Sequence, residues 1–248
     1  MAGPGMIYGT RAVIEAILAG KDIDKVMVQT GLSNDLVREL FHVAKERNIS
    51  IQLVPAERLK RISSKNHQGV ICMLSPVAFA SVENLIAQAY DEGREPFFLM
   101  LDRVTDVRNF GAVVRTAECA GIDGIIIPDK GGAPITADAM KTSAGALNYV
   151  PVCREKDLKK TLRLLQESGI RIVACTEKTD KDLYDFNLTG PVALVVGSEE
   201  DGISDAILRE ADDLARIPLK GKIGSLNVSV AAAVAMYEIV RQRRISNE

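Results

Sequence analysis

Apolar and polar positions change rhythm along the chain and divide it into two stretches. In the first, Gly9 to Leu18 predicts a helix and Lys25 to Gln29 a strand. Ser33 is placed to cap a helix reaching about Arg47, with Leu36, Leu40, Phe41 and Ala44 on one face. Ile49 to Val54 predicts a strand by its β-branched content, Pro55 opens a short helix, and Gly69 to Leu74 is another strand. These elements describe a small α/β domain over residues 1–77. Residues 78–95 contain a polar helical stretch ending at Glu92-Gly93-Arg94-Glu95-Pro96, where glycine and proline punctuate the chain, and are expected to form a linker.

Residues 96–248 repeat apolar strand, turn and helix. Strands are expected at Phe97–Leu101, Gly124–Ile127, Ile170–Ala174, Val192–Val196 and Leu214–Ile217, with a short one near Tyr149–Val152. Helices fall at about 109–120, 136–144, 155–168, 203–210 and 227–243. Continuous apolar strands alternating with helices predict an α/β domain with a largely parallel sheet and helices on both faces. Ligands of such sheets bind beyond the carboxyl ends of the strands.

Composition narrows the function classes. The 248 residues are 47% hydrophobic and 26% charged, with no apolar run near the roughly 20 residues that span a bilayer. The N-terminal MAGPGMIYG lacks a basic segment followed by an apolar one, so the cytoplasm is expected. Cys72, Cys119, Cys153 and Cys175 form no C-x-x-C pair and are expected as buried free thiols. With His42 and His67 the only histidines, no metal site is expected. The net charge of −2 conceals an asymmetry: residues 1–77 carry ten Lys+Arg against seven Asp+Glu, and residues 78–248 carry 21 against 26. On charge alone, a mild basic excess is more often a solvated surface than a nucleic-acid site.

Neither a G-x-G-x-x-G fingerprint nor a P-loop is present, since Gly197-Ser-Glu-Glu-Asp-Gly202 continues as Ile-Ser. Three polar, glycine-bearing segments nevertheless follow three predicted strands. The first runs from Asp102 through Asn109 and Gly111 to Arg115, the second from Gly197 through Ser198 and Glu199 to Gly202, and the third from Ile217 through Ser225-Leu226-Asn227-Val228-Ser229. In order and spacing these segments resemble the N-x-G-x-x-x-R, G-x-E-x-x-G and S-L-N-V-S motifs of the SpoU (TrmH) family of RNA 2′-O-ribose methyltransferases, within the SPOUT superfamily. Tyr8-Gly9 and His67-Gln68-Gly69-Val70 make the first domain similar to that family's L30e-like RNA substrate-binding domain. The likeness is strongest to its members that methylate a guanosine in bacterial 23S rRNA.

The resemblance implies a trefoil knot, S-adenosylmethionine as cofactor, RNA as substrate and a homodimer whose site borrows from both subunits. Periodicity alone selects no knot, because knotted chains are rare. Catalytic roles are implied for Arg115, Asn109, Glu199, Ser225 and Asn227, cofactor contacts for Gly197, Ser198, Glu199, Ile217 and Leu226, and RNA contacts for Arg115, Lys141, Ser225 and Ser229. A guanidinium is effectively never deprotonated, so Arg115 suits stabilising the developing alkoxide and holding a phosphate better than it suits a general base. Asn109 is expected to orient Arg115, Gly197 to let backbone approach the cofactor, and Glu199 to brace its loop through backbone N–H groups. For Ser225, Asn227 and Ser229, helix capping alone explains one of the three. Ile217 and Leu226 suit adenine or plain core packing, and the small residues of Lys141-Thr-Ser143-Ala-Gly145-Ala146 suit the site or close packing. A face of Val228, Val230, Ala231, Val234 and Ala235 on the last helix suits a dimer interface or an intramolecular contact, and Arg241 to Arg244 suit a helix C-terminus without an RNA role.

Two departures from the family pattern bear on the RNA target more than on the reaction: Val107 stands where proline is common, and Glu200-Asp201 replaces a more usual Gly-Lys or Gly-Arg pair. Two rivals remain, a tRNA ribose methyltransferase and a noncatalytic RNA-binding protein of the same fold. The L30e-like domain favours rRNA over tRNA, and the intact Asn109, Arg115, Glu199, Ser225 and Asn227 favour an enzyme.

Overall fold

Phe97–Leu101 is apolar at every position, and in the computed structural model of the chain all five residues are buried at the centre of a parallel sheet. The structure describes residues 5–47 and 49–246, so residues 1–4, part of the stretch inspected for an export signal, lie outside it. The chain divides into two units, Met1–Ala78 and Phe79–Glu248.

In the first unit the elements are β1 (Met6–Tyr8), α1 (Thr10–Leu18), β2 (Ile23–Gln29), α2 (Asp35–Glu46), β3 (Ile51–Val54), α3 (Ala56–Ile62) and β4 (Val70–Leu74). The sheet order is β1-β4-β2-β3, with β2 and β3 parallel and the other pairs antiparallel. Val13, Ile14 and Ile17 of α1 and Val37, Leu40 and Ala44 of α2 close over Val26, Val28, Val70 and Cys72. Two details differ from expectation. Asn34, not Ser33, caps α2, its Oδ1 accepting from the Val37 N–H at 2.9 Å. The buried stripe is Val37, Leu40, Val43 and Ala44, while Leu36 and Phe41 stand 39% and 41% exposed.

The second unit begins earlier than its punctuation suggests. Residues expected as a linker form β5 (Phe79–Ala80), which pairs with the seven-stranded sheet, and α4 (Val82–Asp91). Ser81 caps α4, and Val82, Ile86 and Ala89 form a narrow buried stripe that the polar majority of the segment obscures. There follow β6 (Phe97–Leu101), α5 (Val107–Cys119), β7 (Gly124–Pro128), α6 (Ala137–Thr142), β8 (Val152–Glu155), α7 (Leu158–Glu167), β9 (Arg171–Cys175), β10 (Val192–Val196), α8 (Asp205–Leu208), β11 (Asp213–Ala215) and α9 (Val228–Ser246). The sheet order is β11-β9-β10-β6-β7-β8-β5, and every pair is parallel. Phe98, Met100, Ala193 and Val195 face α4, α7 and α8. The alternate residues face the opposite side, where α5 and α9 pack on each other and α9 on β10.

The strand expected at Tyr149–Val152 begins three residues later, at Val152, and Tyr149 is 77% exposed behind a short 3-10 turn. Cys119 is exposed near the end of α5, contrary to the expectation of four buried thiols. Cys72 and Cys153 are buried, and desolvation pushes each thiol up to about 12. Of the small face on α9, Val228 and Ala235 are buried within the chain and Val230 is 48% exposed. Arg241 pairs with Glu238, and Arg243 donates to the carbonyls of Glu95, Pro96 and Gly190, so these two basic residues brace the end of α9. Among the described residues no helix is long and apolar enough to cross a membrane, and no group of three or more His, Cys, Asp or Glu is placed to hold a metal.

Gly111 shows why small residues are needed around α6. A β-carbon there would overlap the Thr142 side chain and lie 2.9 Å from the Ser143 nitrogen. Gly111→Ala is expected to destabilise the protein by roughly 1–3 kcal/mol, the scale of overpacking, despite alanine's better helix propensity. Urea unfolding should show this loss, with part of it recovered when Thr142→Ala is added. A Gly111→Ala protein as stable as the parent would contradict the contact.

Candidate active site

Leu101 and Val196 sit opposite each other in the β6–β10 ladder, so the loops that follow leave the sheet side by side. The Asp102 N–H donates to the Val196 carbonyl at 2.8 Å, extending the pairing by one step. The Asp102 carboxylate is buried and accepts from the Ser204 N–H at 2.6 Å, which ties the first loop to the far end of the second. Arg103, in the left-handed region at φ 61°, donates to the Gly202 carbonyl at 3.2 Å and pairs with Asp201 at 3.3 Å. The second loop also closes on itself through Ser198 and Gly202, whose backbones exchange hydrogen bonds at 3.0 and 3.1 Å. A β-carbon at Gly197 would overlap the backbone of Gly202 and Ile203, so only glycine fits. The close approach expected at Gly197 is thus to the chain's own backbone.

Three motifs meet at one carboxylate. Glu199 Oε1 accepts from the Asn109 and Asn227 side-chain amides, both at 2.6 Å, and Asn227 also donates to Asn109 Oδ1 at 3.1 Å. Asn109 stands in the first turn of α5, whose cap is Asp106, accepting from the N–H groups of Arg108 and Asn109. Val107 is therefore the first helical residue, a position where proline is favoured because its missing N–H needs no partner and its fixed φ is already helical, and where valine is also tolerated. Asn227 opens α9: its Oδ1 accepts from the Ser229 N–H at 3.0 Å and hydroxyl at 2.6 Å, and its carbonyl accepts from Ala231. Asn227 is the one residue of its motif that capping explains, and Ser229 supports it.

Beside this node lies a cleft of about 300 Å³ at the carboxyl ends of β9 and β10, lined by Gly197, Ser198, Glu199, Ile217, Ser225 and Leu226 among others. All five residues expected against a cofactor are in this wall, together with Ser225. Ile217 is available because β11 ends at Ala215 and only a single bridge from Arg216 to Asp182 follows.

Two expectations fail in their details. Asn109 does not orient Arg115, because six residues on an α-helix place the two side chains about 120° apart. Arg115 is exposed on α5, outside the cleft lining, with no pairing partner among the described residues. Lys141 is likewise exposed on α6 and outside the cleft lining. Glu199 braces its loop through the two asparagine amides instead of backbone N–H groups. Sequence reasoning also assigned no role to Asp102, Arg103 or Glu177. An aspartate directly after a continuous apolar strand was the available signal for Asp102.

Residues 96–237 match the SpoU rRNA methylase family. The chain belongs to that family. Residues 6–80 match the RNA 2′-O ribose methyltransferase substrate-binding domain. YacO of Bacillus subtilis (strain 168), named for the TrmH family of tRNA/rRNA methyltransferases, is 33% identical over 237 residues, covering 96% of this chain and 95% of YacO. The SpoU methyltransferase AviRb of Streptomyces viridochromogenes, crystallised with AdoMet, superposes with a TM-score of 0.61 at 25% identity, covering 97% of this chain and 90% of AviRb. An AdoMet-bound rRNA methyltransferase of Sinorhizobium meliloti gives 0.60 at 25% identity, covering 96% of this chain and 87% of that one. The chain is an RNA methyltransferase of the SpoU/TrmH type, and its cofactor is S-adenosylmethionine.

The cleft suits that cofactor. Glu177, Glu199, Glu200 and Asp201 bring carboxylates to a site for a sulfonium cation, and its one guanidinium, Arg216, is engaged by Asp182 at 2.7 Å and Asp180 at 3.3 Å. Val196, Ile217, Leu219 and Leu226 supply apolar wall for an adenine ring.

Asp102→Ala removes the acceptor of the part-buried Ser204 N–H and one of the ties between the first and second loops. It is expected to cost about 1–3 kcal/mol in urea unfolding and to weaken S-adenosylmethionine binding in calorimetry. Unchanged cofactor affinity would show that the Asp102–Ser204 tie does not shape the cleft.

Proposed function

We propose that the protein methylates the 2′-hydroxyl of a guanosine ribose in 23S ribosomal RNA, acting in the cytoplasm as a homodimer. The carrying observation is the node at which Asn109, Glu199 and Asn227 join three loops beside an acid-rimmed cleft. Support for the ribose comes from the substrate-binding match over residues 6–80, and for ribosomal RNA from the likeness of nearly the whole chain to the S. meliloti rRNA enzyme. The family's trefoil knot belongs to the same proposal, with the chain after β11 returning as α9 against α5 and β10.

When bound, S-adenosylmethionine supplies an electrophilic methyl group whose departure leaves a neutral thioether. The backbone around Gly197, Ile217 and Leu226 holds the cofactor, and the carboxylates at the rim favour its positive charge. Asn227 and Glu199 fix the start of α9, so that Ser225 presents its hydroxyl toward RNA, while the Ser229 hydroxyl, donating to Asn227, keeps its oxygen as an acceptor there. Arg115 stabilises negative charge on the 2′-oxygen as its proton passes to solvent water, and does not itself take that proton. Its distance from its own chain's cleft lining is met by the homodimer, in which Arg115 and Lys141 of one copy meet RNA held at the other's cleft.

Arg115→Ala is expected to leave S-adenosylmethionine affinity nearly unchanged and to slow methyl transfer by roughly 10²–10³, the scale of one lost transition-state donor. Loss of cofactor binding with an intact single-turnover rate would reverse the assignment.

The acceptor is tested with unmodified 23S rRNA and tRNA transcripts and labelled cofactor, mapping the product and then replacing the mapped nucleotide by its 2′-deoxy form. Incorporation should occur in 23S rRNA and vanish in the deoxy substrate, while binding changes little because phosphate contacts dominate affinity. Undiminished incorporation into the deoxy substrate would make a base the acceptor, and incorporation into tRNA alone would replace the ribosomal target.

A further inference from the structure

The basic excess of the first unit is not spread over its surface. Residues 55–69 contain Arg58, Lys60, Arg61 and Lys65 against Glu57 alone, and the rest of residues 1–77 balances at six Lys+Arg against six Asp+Glu. Elsewhere in the unit Arg11 pairs with Glu39 and Arg38 with Asp35, while Lys21, Lys25, Lys45 and Arg47 stand among an equal number of acidic residues, so the net excess belongs to residues 55–69. The four cations of this segment are exposed, and among the described residues none has a carboxylate partner.

Two of them, Lys60 and Lys65, line a groove of about 660 Å³ with Gln29, Ser63, Ser64, Asn66, His67, Gln68 and Gly69, and among the described residues no acidic side chain lines it. That volume lies in the range of about 300–1,000 Å³ that takes a small ligand or a nucleotide. Lys65 Nζ also sits 5.4 Å from the centre of the Tyr8 ring.

The groove floor is held in a costly conformation. Gln68 and Gly69 are consecutive left-handed residues, at φ 49° and 79°. Gly69 sits where a side chain would be strained by its φ of 79°, and a β-carbon there would also stand 2.8 Å from Leu32 Cδ2, which would have to shift. The Gly69 N–H donates to His67 Nδ1 at 3.0 Å, the Val70 N–H to the His67 carbonyl at 2.8 Å, and the Gln29 N–H to the Gly69 carbonyl at 2.8 Å. Because Nδ1 accepts, the neutral ring carries its proton on Nε2, leaving that N–H for a ligand. A non-glycine residue in the left-handed region costs on the order of 1–3 kcal/mol and persists where the surroundings enforce it, a pattern associated with ligand sites.

We propose that this groove is where the substrate-binding unit grips an unpaired segment of its RNA, with Lys60 and Lys65 on phosphates and Asn66, Gln68 and His67 Nε2 on base edges. Amide side chains carry a donor and an acceptor side by side, as base edges do, and in A-form helices those edges are out of reach of side chains in the deep major groove. The inference deepens the RNA-methylating reading above and rests on it for the identity of the ligand.

The test uses the full chain and an unmodified 23S rRNA transcript in filter binding from 50 to 200 mM salt, with methyl incorporation and S-adenosylmethionine calorimetry alongside. Lys60→Ala/Lys65→Ala is compared with Lys21→Ala/Lys45→Ala, an equal charge change at exposed positions of the same unit outside the groove. The groove pair should weaken transcript binding about tenfold or more and flatten the salt slope by about 1–2, with the activity loss carried by KM and cofactor affinity unmoved. Equal affinity and slope for the two pairs would overturn the proposal. Asn66→Ala/Gln68→Ala should keep the salt slope and lose about tenfold of the preference for the transcript over a fully paired RNA duplex, and a retained preference would remove base reading from it. The binding arms need no chemistry: a parent protein that binds the transcript through this groove but transfers no methyl group to it would overturn the proposed reaction and leave the groove standing.

Discussion

The active-site end of the second unit depends on one steric constraint, the crossing of backbone past Gly197 with no space for a single added carbon. Adjacent parallel strands deliver the ends of β6 and β10 to the same place, but parallel pairing leaves the following loops without partners. The crossing lets Ser198 and Gly202 bond across the loop, Asp102 accept from Ser204, and Arg103 reach the Gly202 carbonyl. A loop fixed in this way holds Glu199 where the two asparagines find it. Without the crossing, ordering a solvent-facing loop would cost about 1–2 kcal/mol per residue in backbone entropy with little to offset it.

Charge is divided between the two units according to what each must hold. The cleft of the SpoU unit has carboxylates at its rim and a cationic cofactor. In the substrate-binding unit, the net positive charge comes from residues 55–69, and the remainder balances. A net charge of −2 for the chain therefore says little about its affinity for RNA, because local potentials decide where a polyanion docks. The Glu200-Asp201 pair fits the same division: Asp201 is engaged by Arg103, so the departure from a cationic pair adds support to the loop as well as negative charge beside the cleft.

Much of the fold was legible in the sequence because burial on both faces leaves unbroken apolar runs, as at Phe97–Leu101 and Val192–Val196, and these strands were placed to the residue. Segments with a thin buried stripe were harder. The α4 stretch reads as polar because only Val82, Ile86 and Ala89 are covered, and β5 is too short for any periodicity to register. On α2 the expected face took in Leu36 and Phe41, which lie beside the buried stripe of Val37, Leu40, Val43 and Ala44, since apolar residues on both borders leave the stripe's position ambiguous.

Among site residues, the sequence by itself determined which ones would gather: Asn109, Gly197, Glu199, Ile217, Ser225, Leu226 and Asn227 follow strand ends, and a parallel sheet collects such ends along one edge. Which of them touch was decided only in three dimensions. Helical geometry turns Asn109 away from Arg115, and the starts of α5 and α9 bring it instead to Glu199, 90 residues distant, and to Asn227, 118 residues distant. The same holds for Gly197, whose need for glycine comes from Gly202 and Ile203 folding back over it, and for the groove of the first unit, where a left-handed turn at Gln68 and Gly69 faces cations that the sequence shows only as a local excess. Periodicity records how each residue relates to the core, and contacts between polar side chains on separate loops leave no period to read.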